Sequence, residues 1–266
     1  MTLAALRERF GGAGRNPADE LELAKSCGDT LPYRSLIVIE ECGEPLSELP
    51  RSEFARFEPH PYLAAGAQYE GASPFWVREG VLFRLMAAQE LLRQRKPNWG
   101  LKIFDAYRPN QVQEYMVRYT RNQVAAERGI DPDSASDEQL ASIMSEVYKV
   151  WAMPSEDLAL PTPHSTGSAV DLTLIDSRGE VVDMGGEIDA ICSETLPNFY
   201  RSSTDDYGVR MHANRSLLNE IMSEAGFCRL PHEWWHFSYG DQMWGLLKSL
   251  QGSRDVAAIY GRVADW

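Results

Sequence analysis

Hydrophobic and polar positions along the chain switch between two periods. Val81, Leu82, Leu85, Met86 and Leu92 recur at helical spacing with Gln89 on the same face, and Pro97-Asn98 closes the run, which predicts a helix over 81–95. Leu101–Tyr107 reads as a strand, and Pro109 suits the first turn of a helix whose face is Val112, Tyr115, Met116 and Tyr119, closed at Gly129. Ser136 and Gln139 form a capping-box pattern for a third helix running to about Trp151. Ser168–Ile175 alternates, with Val170, Leu172 and Leu174 on one face and Ala169, Asp171 and Thr173 on the other, the signature of a strand. A turn at Arg178-Gly179 leads to a return strand at Val181-Val182. Asn214 caps a predicted helix over 214–225, with Leu217, Leu218, Ile221 and Met222 as its face and Gly226 at its end. Leu36–Ile39 and the aromatic run Trp234–Tyr239 are strand-like by composition. Glu48–Ser73, rich in Pro, Gly and Ala, shows no sustained period and reads as a loop wrapped on the surface and able to line a site.

Helices and strands alternate irregularly and the strands form short hairpin-like pairs, so the fold class is α+β with an antiparallel sheet. Residues 1–32 are polar and punctuated by Gly and Pro; they read as an N-terminal arm or short helix before a single domain over 33–266.

Composition changes this picture by exclusion. With 39 Asp+Glu against 26 Lys+Arg the net charge is −13, which argues against a nucleic-acid binder that must neutralise phosphates. No run of 18 apolar residues is present to span a membrane, and the first ten residues lack the apolar core of a secretory signal. The chain therefore reads as soluble and cytoplasmic. Cys27, Cys42, Cys192 and Cys228 show neither a C-x-x-C pair nor a short spacing, so they suggest neither a disulfide framework nor a cysteine metal site.

Five histidines remain, and two stretches hold three of them in patterned company. In His164-Ser-Thr-Gly-Ser-Ala-Val-Asp171, small residues allow a sharp turn that returns a loop histidine to the side of a strand aspartate. Asp171 lies off the aliphatic face, so it meets solvent or a polar partner such as a metal. His232-Glu233-Trp234-Trp235-His236 matches H-E-x-x-H, in which two helical histidines bind zinc and Glu is the base. Pro231 before it, Gly240 after it and the strand-favouring aromatics oppose a helix. A second reading drops His232 and joins His164, Asp171 and His236 as a two-His, one-carboxylate site with an open fourth position. Glu233 would then accept a proton from water, provided it lies at a bend, because residues i and i+3 face opposite ways on a strand. Arg108, between a strand end and a helix start, reads either as a surface arginine beside a helix-start proline or as a guanidinium that reaches a cleft and stabilises an oxyanion.

The stretches DAYRP (Asp105–Pro109), HSTGSAVD (His164–Asp171) and EWWHF (Glu233–Phe237), in this order, resemble the D-alanyl-D-alanine dipeptidase family, the zinc peptidases of vancomycin-resistance type and their bacterial relatives. DMGGEID (Asp183–Asp189) and the 214–227 segment extend the resemblance from about Pro74 to Tyr239. It implies a compact domain with a small antiparallel sheet carrying one Zn2+ per chain, flanked by helices, and a small dipeptide of the D-Ala-D-Ala type as substrate. By resemblance His164, Asp171 and His236 are zinc ligands, Glu233 the base and Arg108 the transition-state arginine. Asp189 would hold the substrate ammonium, and Thr162 stands where relatives carry a serine near the substrate. Thr162, Ile188 in place of Phe and the acidic stretch 131–138 depart from the family pattern. The alternatives are an H-E-x-x-H peptidase using His232, and a catalytically silent zinc domain that binds a peptide or protein.

Overall fold

The computed structural model describes residues 34–263; the arm expected over 1–32 lies outside them. The chain order is β1 (Leu46–Glu48), β2 (Ala55–Arg56), α1 (Pro61–Ala64), β3 (Trp76–Arg78), α2 (Glu79–Arg95), β4 (Gly100–Asp105), α3 (Asn110–Glu127), α4 (Asp137–Val147), β5 (Ala169–Ile175), α5 (Asp206–Glu224), β6 (Cys228–Arg229), β7 (His236–Ser238) and α6 (Gln242–Leu250). The fold is a single mixed α+β domain. Its main sheet runs β2-β4-β5-β7-β6, and β1 pairs with β3 separately. The expected antiparallel sheet needs one correction: β2 joins the edge of β4 in parallel, while the other pairs are antiparallel.

β5 is the centre of this arrangement. Val170, Leu172 and Leu174 are fully buried in a core shared with Val81, Leu85 and Leu92 of α2 and Leu218, Ile221 and Met222 of α5. Each such side chain contributes about 2 kcal/mol of burial, so the register of β5 is strongly fixed. The opposite face, carrying Ala169, Asp171 and Thr173, is also buried. A second core of Tyr62, Phe104, Val112, Met116, Val147 and Trp151 packs α3, α4 and the 57–72 region over that polar side.

Several boundaries move. The capping box at Ser136 and Gln139 forms with both of its hydrogen bonds, but α4 stops at Val147 because Trp151 turns into the second core. α5 begins eight residues before the predicted start. Asp205 caps it by accepting from Gly208 N at 2.9 Å, and Asn214 lies mid-helix with its amide donating to Asp183 O. The first two turns bury only Gly208 and Met211, so no apolar period announces them. Leu36–Ile39 forms only a parallel bridge from Ile39 to Ala258, and Val181 only a bridge to Ile175. Among the described residues no helix is long and apolar enough to cross a membrane, and Cys42, Cys192 and Cys228 are free.

Candidate active site and metal centre

Strand register builds the site. Asp105 of β4 pairs with Asp171 of β5, which pairs with His236 of β7, so three polar side chains stand in one row across three strands. A register shift between Ile103 and Asp105 lets the row form. His164 enters from a 3₁₀ turn, Pro163–Thr166, that leads directly into β5. Gly167 makes the turn possible: its φ is +71°, and a Cβ there would lie 2.4 Å from Leu46 Cδ2.

His164, Asp171 and His236 are all buried and together could hold a metal ion. His164 Nε2 lies 3.2 Å from His236 Nδ1 and 3.2 Å from Asp171 Oδ2, and His236 Nδ1 lies 3.0 Å from Asp171 Oδ1. A tetrahedral centre with bonds of about 2.0–2.1 Å sets its ligand atoms about 3.3 Å apart, so the spacing fits. The outer nitrogens fit as well. His164 Nδ1 lies 2.7 Å from Ala106 O and 3.4 Å from Asp105 Oδ2, and as the donor to that carbonyl it leaves a lone pair on Nε2. His236 Nε2 contacts Ser238 Oγ at 3.3 Å. Burial opposes the charge of Asp171, yet His164 and His236 hold it well below the usual carboxylate range.

Glu233 reaches the same point from the β6–β7 connection. Leu230 N donates to His236 O, closing a loop over 231–235, and buried Trp234 and Trp235 pin it with ring centroids 5.4 Å apart. Glu233 precedes the bend at 234–235, which removes the strand-phase difficulty and brings Oε2 to 3.8 Å from His236 Nδ1. His232 lies in a turn, 3.5 Å from Glu233, and does not join the three-residue cluster. The two histidines of H-E-x-x-H therefore do not share a helix face.

Arg108 is buried and clamped. Its Nε donates to Asp105 Oδ2 at 2.9 Å, Nη1 to Gln113 Oε1 at 2.8 Å and Nη2 to Tyr62 Oη at 3.0 Å, with Asp171 Oδ2 at 3.4 Å. It also lies against the rings of Tyr62 and Trp151. Burial works against this charge, but Tyr62, Asp105, Asp171 and Asp189 outweigh it and hold Arg108 well above its ordinary value. The Tyr62 hydroxyl passes the contact on, donating to Asp189 Oδ2 at 2.7 Å. Burial and the charge of Asp171 push the Asp189 carboxyl up to about 7, against the pull of Arg108. Thr162 is buried and its hydroxyl lacks a partner. All seven residues singled out from the sequence line one cavity of about 700 Å³.

The sequence pattern missed Tyr62, Gln113, Trp151 and the role of Asp105. Asp105 is fully buried and joins Arg108, His164, Tyr69 and His60, with His60 Nε2 3.3 Å from its Oδ1. Its place in DAYRP was the available signal. Tyr62 lies in the aperiodic region read as a loop able to line a site.

A buried two-imidazole, one-carboxylate cluster beside a carboxylate and a clamped guanidinium defines a metal-dependent hydrolase site. The D-ala-D-ala dipeptidase family model matches residues 55–252. The chain is 42% identical over 243 residues to a D-alanyl-D-alanine dipeptidase of Synechocystis sp., covering 87% of this chain and 96% of that protein. It is 33% identical over 137 residues to the D-alanyl-D-alanine dipeptidase of Escherichia coli (52% and 53% of the two chains) and 26% identical over 145 residues to that of Enterococcus faecalis (54% and 64%). The chain belongs to the D-ala-D-ala dipeptidase family, and it is a metallopeptidase.

Proposed function

We propose that this protein is a zinc-dependent dipeptidase whose substrate is D-Ala-D-Ala or a similarly small dipeptide. The observation that carries the reading is the convergence of the His164–Asp171–His236 cluster, Glu233 and Arg108 in one buried cavity. Two imidazoles and a carboxylate suit zinc and leave its fourth position open. Bound there, the ion would supply Lewis acidity, polarising the peptide carbonyl and lowering the pKa of water to about 7.

The remaining work belongs to the chain. Glu233 accepts the proton of the attacking water at Oε2 and delivers it to the leaving amine. Arg108, held in place by Asp105 and Gln113, stabilises the developing oxyanion; removing one such donor typically costs about 3 kcal/mol. Asp189 pairs with the substrate ammonium, which restricts the enzyme to short peptides with a free amino end, and Thr162 also contacts the substrate. The names of the relatives support the D-Ala-D-Ala assignment, and a cytoplasmic location is the matching expectation.

Glu233→Ala should retain about one zinc per chain by metal analysis while turnover falls by roughly two to four orders of magnitude. Near-wild-type turnover in this variant would contradict the mechanism.

A further inference from the structure

A dipeptide carries two charged ends, and the site described so far answers only one of them. The cations lining the cavity besides the histidines are Arg108, Lys149 and Arg34. Arg108 shares its donors among Asp105, Gln113, Tyr62 and Asp171. Lys149 is exposed and pairs with Glu146 at 2.6 Å. Arg34 is different: it is 3% exposed, its Nη1 donates to Pro161 O at 3.0 Å, and its Nη2 has no partner among the described residues. The next residue along from that carbonyl is Thr162, 2% exposed, whose Oγ1 is also without a partner. Two unpartnered groups able to donate hydrogen bonds thus flank one peptide unit in the cavity wall. Leaving such groups buried and unpaired costs about 1–3 kcal/mol each, more when charged.

The wall is braced rather than loose. Gln242 Nε2 donates to Ile37 O at 2.9 Å and to Ala159 O at 3.0 Å, tying the segment that follows Arg34 to the one that precedes Thr162. Ile37 N donates in turn to Arg34 O.

We propose that Arg34 and Thr162 form the subsite for the C-terminal carboxylate of the substrate. Arg34 Nη2 takes one carboxylate oxygen and supplies the opposing charge, and Thr162 Oγ1 donates to the other. This rests on the dipeptidase reading and adds a residue outside the 55–252 segment that matches the family. Burial lowers the pKa of Arg34, and the charge of nearby Asp241 offsets this only in part. Together with Asp189 at the ammonium end, such a subsite reads the length of the substrate by its two charges.

The test compares a non-cleavable D-Ala-D-Ala isostere as free acid and as C-terminal amide, by calorimetry on zinc-loaded protein, with hydrolysis of D-Ala-D-Ala measured alongside. The wild type should bind the acid about thirtyfold or more tighter than the amide. In Arg34→Gln that preference should collapse, Arg34→Lys should restore part of it, and Thr162→Val should narrow it by about fivefold. The wild-type comparison needs no variant to fold. Equal binding of acid and amide by an active wild type would overturn the subsite and leave the dipeptidase reading standing. A preference for the acid that survives intact in Arg34→Gln would overturn the role of Arg34. A preference that disappears in Arg34→Gln, in a wild type that hydrolyses no dipeptide, would support the subsite and overturn the reading of the reaction.

Discussion

Asp189 sits at a φ of +64° with its half-buried carboxyl against the Tyr62 hydroxyl, and both facts limit what can replace it. Asparagine tolerates the left-handed backbone and still accepts from Tyr62, so Asp189→Asn removes little besides the charge. In the metal-free protein the native carboxyl titrates near about 7 against an ordinary value of 3.8. The native state then holds a proton that the unfolded state has lost, so stability falls as pH rises through that window and levels off above it. Metal-free Asp189→Asn should melt at a higher temperature than the wild type at pH 8, with the gap narrowing toward pH 5. An unchanged gap across that range would show that Asp189 does not carry the repulsion. A divalent cation in the cluster would offset Asp171 and draw Asp189 back down. At this scale the meeting of His164, Asp171 and His236 was legible from the HSTGSAVD and EWWHF stretches taken together, since either stretch alone also suits a capping carboxylate or an unrelated histidine. Tyr62 was not legible: it meets Arg108 across 46 positions, from a segment without a period.

The elements show where local pattern decides structure and where tertiary contacts do. α2, α3 and β5 form where their hydrophobic periods predict, because each lays a largely apolar face on a core, although Met86 of the expected α2 face is exposed. The start of α5 and the brevity of β7 were hidden, since the first two turns of α5 are mostly exposed and the indoles of 234–235 serve as loop anchors rather than strand residues. The site depends on one tight element above all, the 3₁₀ turn that ends at Gly167. Gly167→Ala forces a side chain into a left-handed backbone and against Leu46, and should cost about 1–2 kcal/mol from the backbone alone. Because His164 rides on this turn, zinc affinity should fall together with stability in denaturant titrations and competition with a chelator. Loss of stability with unchanged zinc affinity would separate the turn from the metal centre.

For the whole molecule, the net charge of −13 and the chemistry operate on different surfaces. On the proposed reading, the two ends of a zwitterionic dipeptide would be read by buried Arg34 and half-buried Asp189 inside the cavity, where the overall acidity of the chain has no bearing. The α+β class was legible from the irregular alternation of periods. The parallel edge strand β2 was not, because two residues carry no period of their own. Hydrolysis of the LL, LD, DL and DD forms of Ala-Ala by zinc-loaded protein is the most direct test of the proposed reaction. Turnover should require the metal and strongly prefer a D residue at the second position, with D-Ala-D-Ala cleaved well. Preference for the LL form, or full metal loading with no hydrolysis of any of the four, would contradict the dipeptidase reading.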